Sequence, residues 1–201
     1  ESALPPQDGL RFLHMGSAFE YGSVEGAVSE GTSCRPQSDY AETKLDGTGR
    51  LVKLHAEGLP VLVLRVATVY GSGEHPHRLL PTLIRAAQTG ETLSFTAGEQ
   101  ERDFTYITDV AEGLVRVLAK GVPPWPVANL ATGRLHQVRE FVGCAQEMLR
   151  LRPDQVALGG LPYRPDEVWQ GPIDTSRLDS WLGWRPAVSI ETGIRATIAD
   201  S

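Results

Sequence analysis

Apolar positions along the chain switch between two periods, and the switches mark alternating strands and helices. Leu10-Arg11-Phe12-Leu13-His14-Met15 is a short, mostly apolar run ended by Gly16, which reads as a strand. From Ser38 or Asp39, either of which can cap, the pattern is helical to about Ala56, with Gly58 as the stop. After Pro60, Val61-Leu62-Val63-Leu64-Arg65-Val66 is almost continuously aliphatic. Such a run belongs in a parallel sheet, buried on both faces. Strand, helix and strand form a βαβ unit. Further on, residues 79–88 and 138–149 have helical periodicity, residues 93–97 and 125–130 read as strands, and residues 109–120 form an amphipathic helix capped by Thr108 or Asp109. Residues 22–37 and the proline-bearing last third are loop-rich. Gly47 and Gly49 inside the first helix each cost up to about 1 kcal/mol against alanine, so a close neighbour is expected to use the bare backbone.

Composition narrows the classes. Of 201 residues, 41% are hydrophobic and 22% charged, the balance of a soluble globular chain. The net charge is −6 with acids and bases interspersed, so neither nucleic acid nor a membrane surface is an expected partner. No apolar run reaches the length of a membrane span and the start lacks a signal-peptide layout, so a cytoplasmic location is expected. Cys34 and Cys144 read as ordinary thiols, and His75-Pro76-His77 lacks a third ligand, so no metal is expected. Neither Gly47-Thr48-Gly49 nor Gly71-Ser72-Gly73 has a third glycine on a strand-to-helix turn, and no phosphate-binding loop is recognisable. The chain starts at Glu1 and is soon in a strand, which suggests a piece of a longer protein.

Candidate chemistry centres on Tyr40-Ala41-Glu42-Thr43-Lys44, which puts a phenol and an ammonium four residues apart on one helical face. An adjacent ammonium favours phenolate over phenol, making the pair a candidate acid/base. Ser17 follows the first strand, and in open α/β sheets the ligand crevice lies outside the carboxyl ends of the strands. A serine there also commonly satisfies local backbone groups.

Six segments, in order, resemble the extended short-chain dehydrogenase/reductases of the NAD-dependent epimerase/dehydratase branch, which work mainly on nucleotide sugars. They are Gly16 to Gly22, Tyr40 to Lys44, Arg65 to Gly71, Glu101-Arg102-Asp103-Phe104 leading through Tyr106 to Asp109-Val110, Arg164-Pro165-Asp166-Glu167, and Leu182-Gly183-Trp184-Arg185-Pro186. The resemblance implies an α/β fold: the C-terminal part of a Rossmann-type parallel sheet (1–70 and 105–130) with a smaller α/β substrate-binding lobe (71–104 and 131–201). It implies that Ser17 hydrogen-bonds the reacting oxygen, that Tyr40 exchanges its proton, and that Lys44 binds the nicotinamide ribose. Arg102 and Arg164 would hold a nucleotide diphosphate, and Leu80, with Pro81, would line the sugar-nucleotide pocket. Thr68 stands where the family usually has asparagine, so a substrate contact differs there. Ala18-Phe19 stand where sugar 4,6-dehydratases carry Asp-Glu, which disfavours dehydration. The implied activity is that of an NAD- or NADP-dependent nucleotide-sugar epimerase or 4-ketoreductase, with a homodimer possible. The family's glycine-rich turn lies upstream of anything present here, so this chain alone is expected to be inactive. The alternative is a non-catalytic binding module of the same ancestry.

Overall fold

The computed structural model describes residues 12–201, so Leu10, Arg11 and the segment before them lie outside the described residues. In chain order the elements are β1 (Phe12–Ser17), α1 (Asp39–Ala56), β2 (Val61–Val66), β3 (Thr68–Tyr70), α2 (Leu79–Thr89) and β4 (Leu93–Ser94). Then come β5 (Glu101–Arg102), β6 (Phe104–Tyr106), α3 (Ile107–Lys120), β7 (Val127–Leu130) and β8 (His136–Gln137). The last are α4 (Val138–Leu149), β9 (Val156–Ala157), α5 (Ser176–Leu182) and α6 (Ile190–Ala199).

β2 is buried at all six positions and is the middle strand of a parallel sheet in the order β1-β2-β7. Its register sets Ser17 beside Val66 and Arg65 beside Asn129. Leu62, Leu64 and Val66 pack with Val110 and Val117 of α3. Val61 and Val63 form a second cluster, against which Leu51 and Val52 of α1 pack. Helices thus cover the strand from both sides, which is why its sequence has no polar alternation. α1 begins where Ser38 caps it, the Ser38 hydroxyl accepting from the Ala41 amide at 3.3 Å. The expected close neighbour exists at Gly47, where a Cβ would stand 3.4 Å from His14 Nε2; at Gly49 nothing lies within 4 Å.

A further core lies where α2, α4 and α6 meet the parallel β3-β6 pair. Tyr70 sits at its centre, edge-on to Phe141 at 5.1 Å and to Phe104 at 6.2 Å. Three sequence expectations are corrected here. α3 starts at Ile107, and neither Thr108 nor Asp109 caps it: buried Asp109 instead accepts from the Ala187 and Val188 amides at 2.9 and 2.8 Å, fastening the C-terminal segment to the helix. The strand expected at 93–97 spans only Leu93–Ser94, because its two-residue partner β9 offers no more ladder. The strand expected at 125–130 begins at Val127.

Candidate active site

β1 ends at Ser17, and its last residues turn directly into a short 3-10 segment, Ala18–Tyr21. The Ser17 hydroxyl accepts from the Phe19 amide at 3.2 Å, so it does satisfy a local backbone group. A hydroxyl also has one hydrogen to give, and accepting from Phe19 leaves that donor available to a ligand oxygen. Ser17, Tyr40, Lys44 and Thr68 line one cleft of about 380 Å³. Lys44 Nζ donates to the Met15 carbonyl at 3.0 Å and lies 5.7 Å from the centre of the Tyr40 ring. An ammonium has three donors, so this bond fixes the head group and leaves two for a ligand. Tyr40 is 56% exposed and lines this cleft.

A second cleft of about 330 Å³ is lined by Leu80, Arg102, Arg164 and again Thr68. Seven of the eight residues expected from sequence therefore divide between two clefts that share Thr68, whereas Pro81 lines neither and faces a different groove, beside Gly71 and Glu74. Phe19, Val69 and Arg78 also line both, so the two are neighbours across this seam. Arg78 and Phe19 were not among the expected site residues. Arg78 stands just before Leu80-Pro81, and its position in a proline-bearing loop gave no sign that it would face the seam. It is paired with Glu74 at 3.5 Å, and burial holds the Glu74 carboxyl above its usual pKa.

Arg102 is built into the cleft wall. Its Nη1 donates to the carbonyls of Glu101 and Val168, both at 2.7 Å, and its Nη2 pairs with Glu167. Burial lowers its pKa, and Glu167 pushes back. Arg102 thus braces the 164–168 turn, whose exposed Arg164 faces the same cleft. Asp103, fully buried, accepts from the amides of Thr132, Gly133 and Arg134 and ties that loop to the wall.

Behind Ser17 lies a polar group that the sequence reading did not separate out. Glu20, 0% exposed, and Arg65, 5% exposed, form an ion pair at 2.8 Å. Arg65 also lies 4.7 Å from the Tyr21 ring centre, and Tyr21 donates to Asn129 at 2.6 Å. The available signal was Arg65 itself, a charge in an otherwise apolar buried strand, which requires a partner.

Among the described residues no group of three or more metal-binding side chains gathers, and no helix is long and apolar enough to cross a membrane. Cys34 and Cys144 are free and half-buried.

Comparison with known proteins finds the following likenesses. The model of the NAD dependent epimerase/dehydratase family matches residues 3–130. A dTDP-glucose 4,6-dehydratase of Xanthomonas campestris is 32% identical over 98% of this chain, and an uncharacterized UDP-glucose epimerase of Bacillus subtilis is 30% identical over 94%. The chain spans 59% of the length of each. Among solved structures, MoeE5 in complex with UDP-glucuronic acid and NAD is 32% identical with a TM-score of 0.84, over 94% of this chain and 64% of that one. A UDP-glucuronic acid 4-epimerase from Bacillus cereus, in complex with UDP-glucuronic acid and NAD, is 29% identical with a TM-score of 0.83, over 94% of this chain and 60% of that one.

Proposed function

The chain belongs to the NAD dependent epimerase/dehydratase family, and from that premise we propose that the protein carrying it is an NAD-dependent nucleotide-sugar epimerase or 4-ketoreductase. The observation that carries the reading is the meeting of Ser17, Tyr40 and Lys44 at the carboxyl end of β1, one seam away from a cleft bearing Arg164. NAD, when bound, would accept hydride from the sugar carbon, and its reduced form would give hydride to the ketone. The donor set suits it: the Lys44 ammonium, fixed on Met15 with two donors left, matches the hydroxyls of a ribose. Tyr40 takes the proton from the sugar hydroxyl as that carbon gives up hydride, and returns it when hydride comes back. Ser17 donates its hydroxyl hydrogen to the same oxygen and polarises it. Arg164 offers a planar fork of donors to the diphosphate. Arg102, committed to Glu167 and to the Val168 carbonyl, contributes by shaping the wall and by its charge.

Ala18 and Phe19 carry no titratable group, so the acid and base needed to eliminate water are lacking beside Ser17. This favours epimerisation or ketone reduction over dehydration. The 1–70 and 105–130 segments would serve the cofactor and the remaining segments the substrate.

The test uses protein expressed from its complete reading frame, supplied with NAD and a panel of UDP-glucose, UDP-glucuronic acid and dTDP-glucose for epimerisation, and with NADH or NADPH and a 4-keto sugar nucleotide for ketone reduction. Turnover of at least one, with a fall of about a hundredfold or more in Tyr40→Phe and an unchanged circular dichroism spectrum, is the expected result. Binding without turnover would favour a non-catalytic module instead, and a fully active Tyr40→Phe would refute the assignment of Tyr40.

A further inference from the structure

We propose that Glu20 is a positioning residue, one that sets the Tyr40–Lys44 helix against the Ser17 strand end. The inference rests on the reading of the cleft given above. Glu20 lines neither cleft, so it acts through the residues it holds.

Its carboxylate gathers donors from three elements. Oε1 accepts from the Ser17 amide at 2.8 Å, on β1, and from the Thr48 hydroxyl at 3.1 Å, on α1. Oε2 accepts from Arg65 Nε at 2.8 Å, on β2. A carboxylate withdrawn wholly from water needs a counter-charge and filled acceptor sites, and here both needs are met by groups next to the candidate chemistry. Thr48 lies one helical turn beyond Lys44 and two beyond Tyr40, on the same face. The grip on Thr48 therefore fixes the rotation and height of α1 at the turns that carry the pair. The Lys44 bond to the Met15 carbonyl is the second tie between α1 and β1, one turn nearer the cleft. Two ties on one face make a defined seating, where one alone would leave a pivot.

Gly16 is the mark this arrangement leaves on the sequence. A Cβ at that position would stand 2.7 Å from Glu20 Oε1 and 2.9 Å from Val63 Cγ1, so the strand end is bare where the carboxylate approaches. Arg65 in turn is held over Tyr21, whose hydroxyl reaches Asn129 on β7, and this extends the node across the sheet. An ion pair that merely held the fold would lower stability when removed, with no selective effect on the chemical step. A positioning residue alters the rate of that step, because a displacement of about 1 Å in reacting groups can cost on the order of a hundredfold.

The deciding variants are Thr48→Val, which keeps the side-chain shape and removes the donor to Glu20, and Thr48→Ser, which keeps the donor. In the complete protein with NAD and whichever of UDP-glucose, UDP-glucuronic acid or dTDP-glucose it turns over, Thr48→Val is expected to lose about tenfold or more in kcat. The KM for the sugar nucleotide should stay within about threefold, since the diphosphate contacts are remote from Thr48. Thr48→Ser should recover most of the loss. Glu20→Gln, if circular dichroism shows it folded, should lose more, because its amide N–H would face Arg65. Wild-type kcat in Thr48→Val, or equal deficits in Thr48→Val and Thr48→Ser, would overturn the proposal. Amide hydrogen exchange over residues 39–48, measured without substrate or cofactor, gives a second readout. Exchange faster in Thr48→Val and restored in Thr48→Ser supports the tie, and unchanged exchange overturns it. A wild type that turns over none of the panel would count against the functional reading, and the exchange result would then decide the Glu20 inference alone.

Discussion

His14 shows how a single residue registers the crowding behind the cleft. Its Nε2 is buried without a hydrogen-bond partner among the described residues, and Gly47 of α1 passes close to it. Burial first, and the Lys44 ammonium second, pull its pKa below 6.5, while Glu20 opposes them. The folded chain therefore binds this proton less readily than the unfolded chain. The resulting stability is fully present above the unfolded value of 6.5 and is lost as pH falls from there through the lower folded pKa. Thermal unfolding followed from about pH 7 to pH 5 should show a declining Tm in the wild type and a shallower decline in His14→Leu. Equal slopes would show that His14 does not carry this dependence. At this scale the sequence was most legible where spacing carries the meaning. Tyr40 and Lys44 are four apart on a helix, so their pairing follows from the local pattern, whereas grouping Ser17 with them rests on the family resemblance. Glu20 and Arg65 are forty-five positions apart and meet only in the folded sheet. Nothing local distinguishes Glu20 from a surface acid.

Elements were legible to the extent that their own residues define them. β2 and α1 came out at the expected bounds because continuous burial and a serine cap are written into the segments themselves. α2 and α4 matched as well, α2 closing on Gly90 in the left-handed region at φ 77°. α3 starts earlier than its sequence predicts, because Asp109 looks like a cap and is used elsewhere, on amides seventy-eight and seventy-nine positions away. That use has a measurable consequence. Asp109→Ala strands two amides beside the helix without their acceptor and should cost about 1–3 kcal/mol in denaturant unfolding. A variant as stable as the wild type would mean that water replaces the carboxylate at no cost. α6 gives a second test at this scale. A Cβ on Gly193 would stand 2.2 Å from the Tyr70 hydroxyl and 2.8 Å from Tyr106, so Gly193→Ala should force the helix off the aromatic core and cost about 1–3 kcal/mol. Wild-type stability in this variant would show that the helix shifts freely.

For the whole molecule, two groups of packed residues back the two clefts. One is the three-stranded parallel sheet with α1 and α3, which presents the Ser17, Tyr40 and Lys44 side chains. The other is the aromatic core around Tyr70, which supports the cleft of Leu80, Arg102 and Arg164. Thr68, at the start of β3 just after β2, lies at the junction and lines both clefts. Among the described residues β1 has a neighbouring strand on the β2 side alone, and Phe12 on it is 49% exposed. Under the proposed function a nucleotide sugar lies across this junction, with its reacting carbon at Tyr40. The most direct measurement is a crystal structure of the complete protein with NAD and the sugar nucleotide it turns over. The expected result is a sugar oxygen within about 2.6–3.2 Å of both Tyr40 Oη and Ser17 Oγ, with the diphosphate toward Arg164. A sugar nucleotide seated instead in the separate groove lined by Arg134, His136 and Arg185, away from Tyr40, would contradict it.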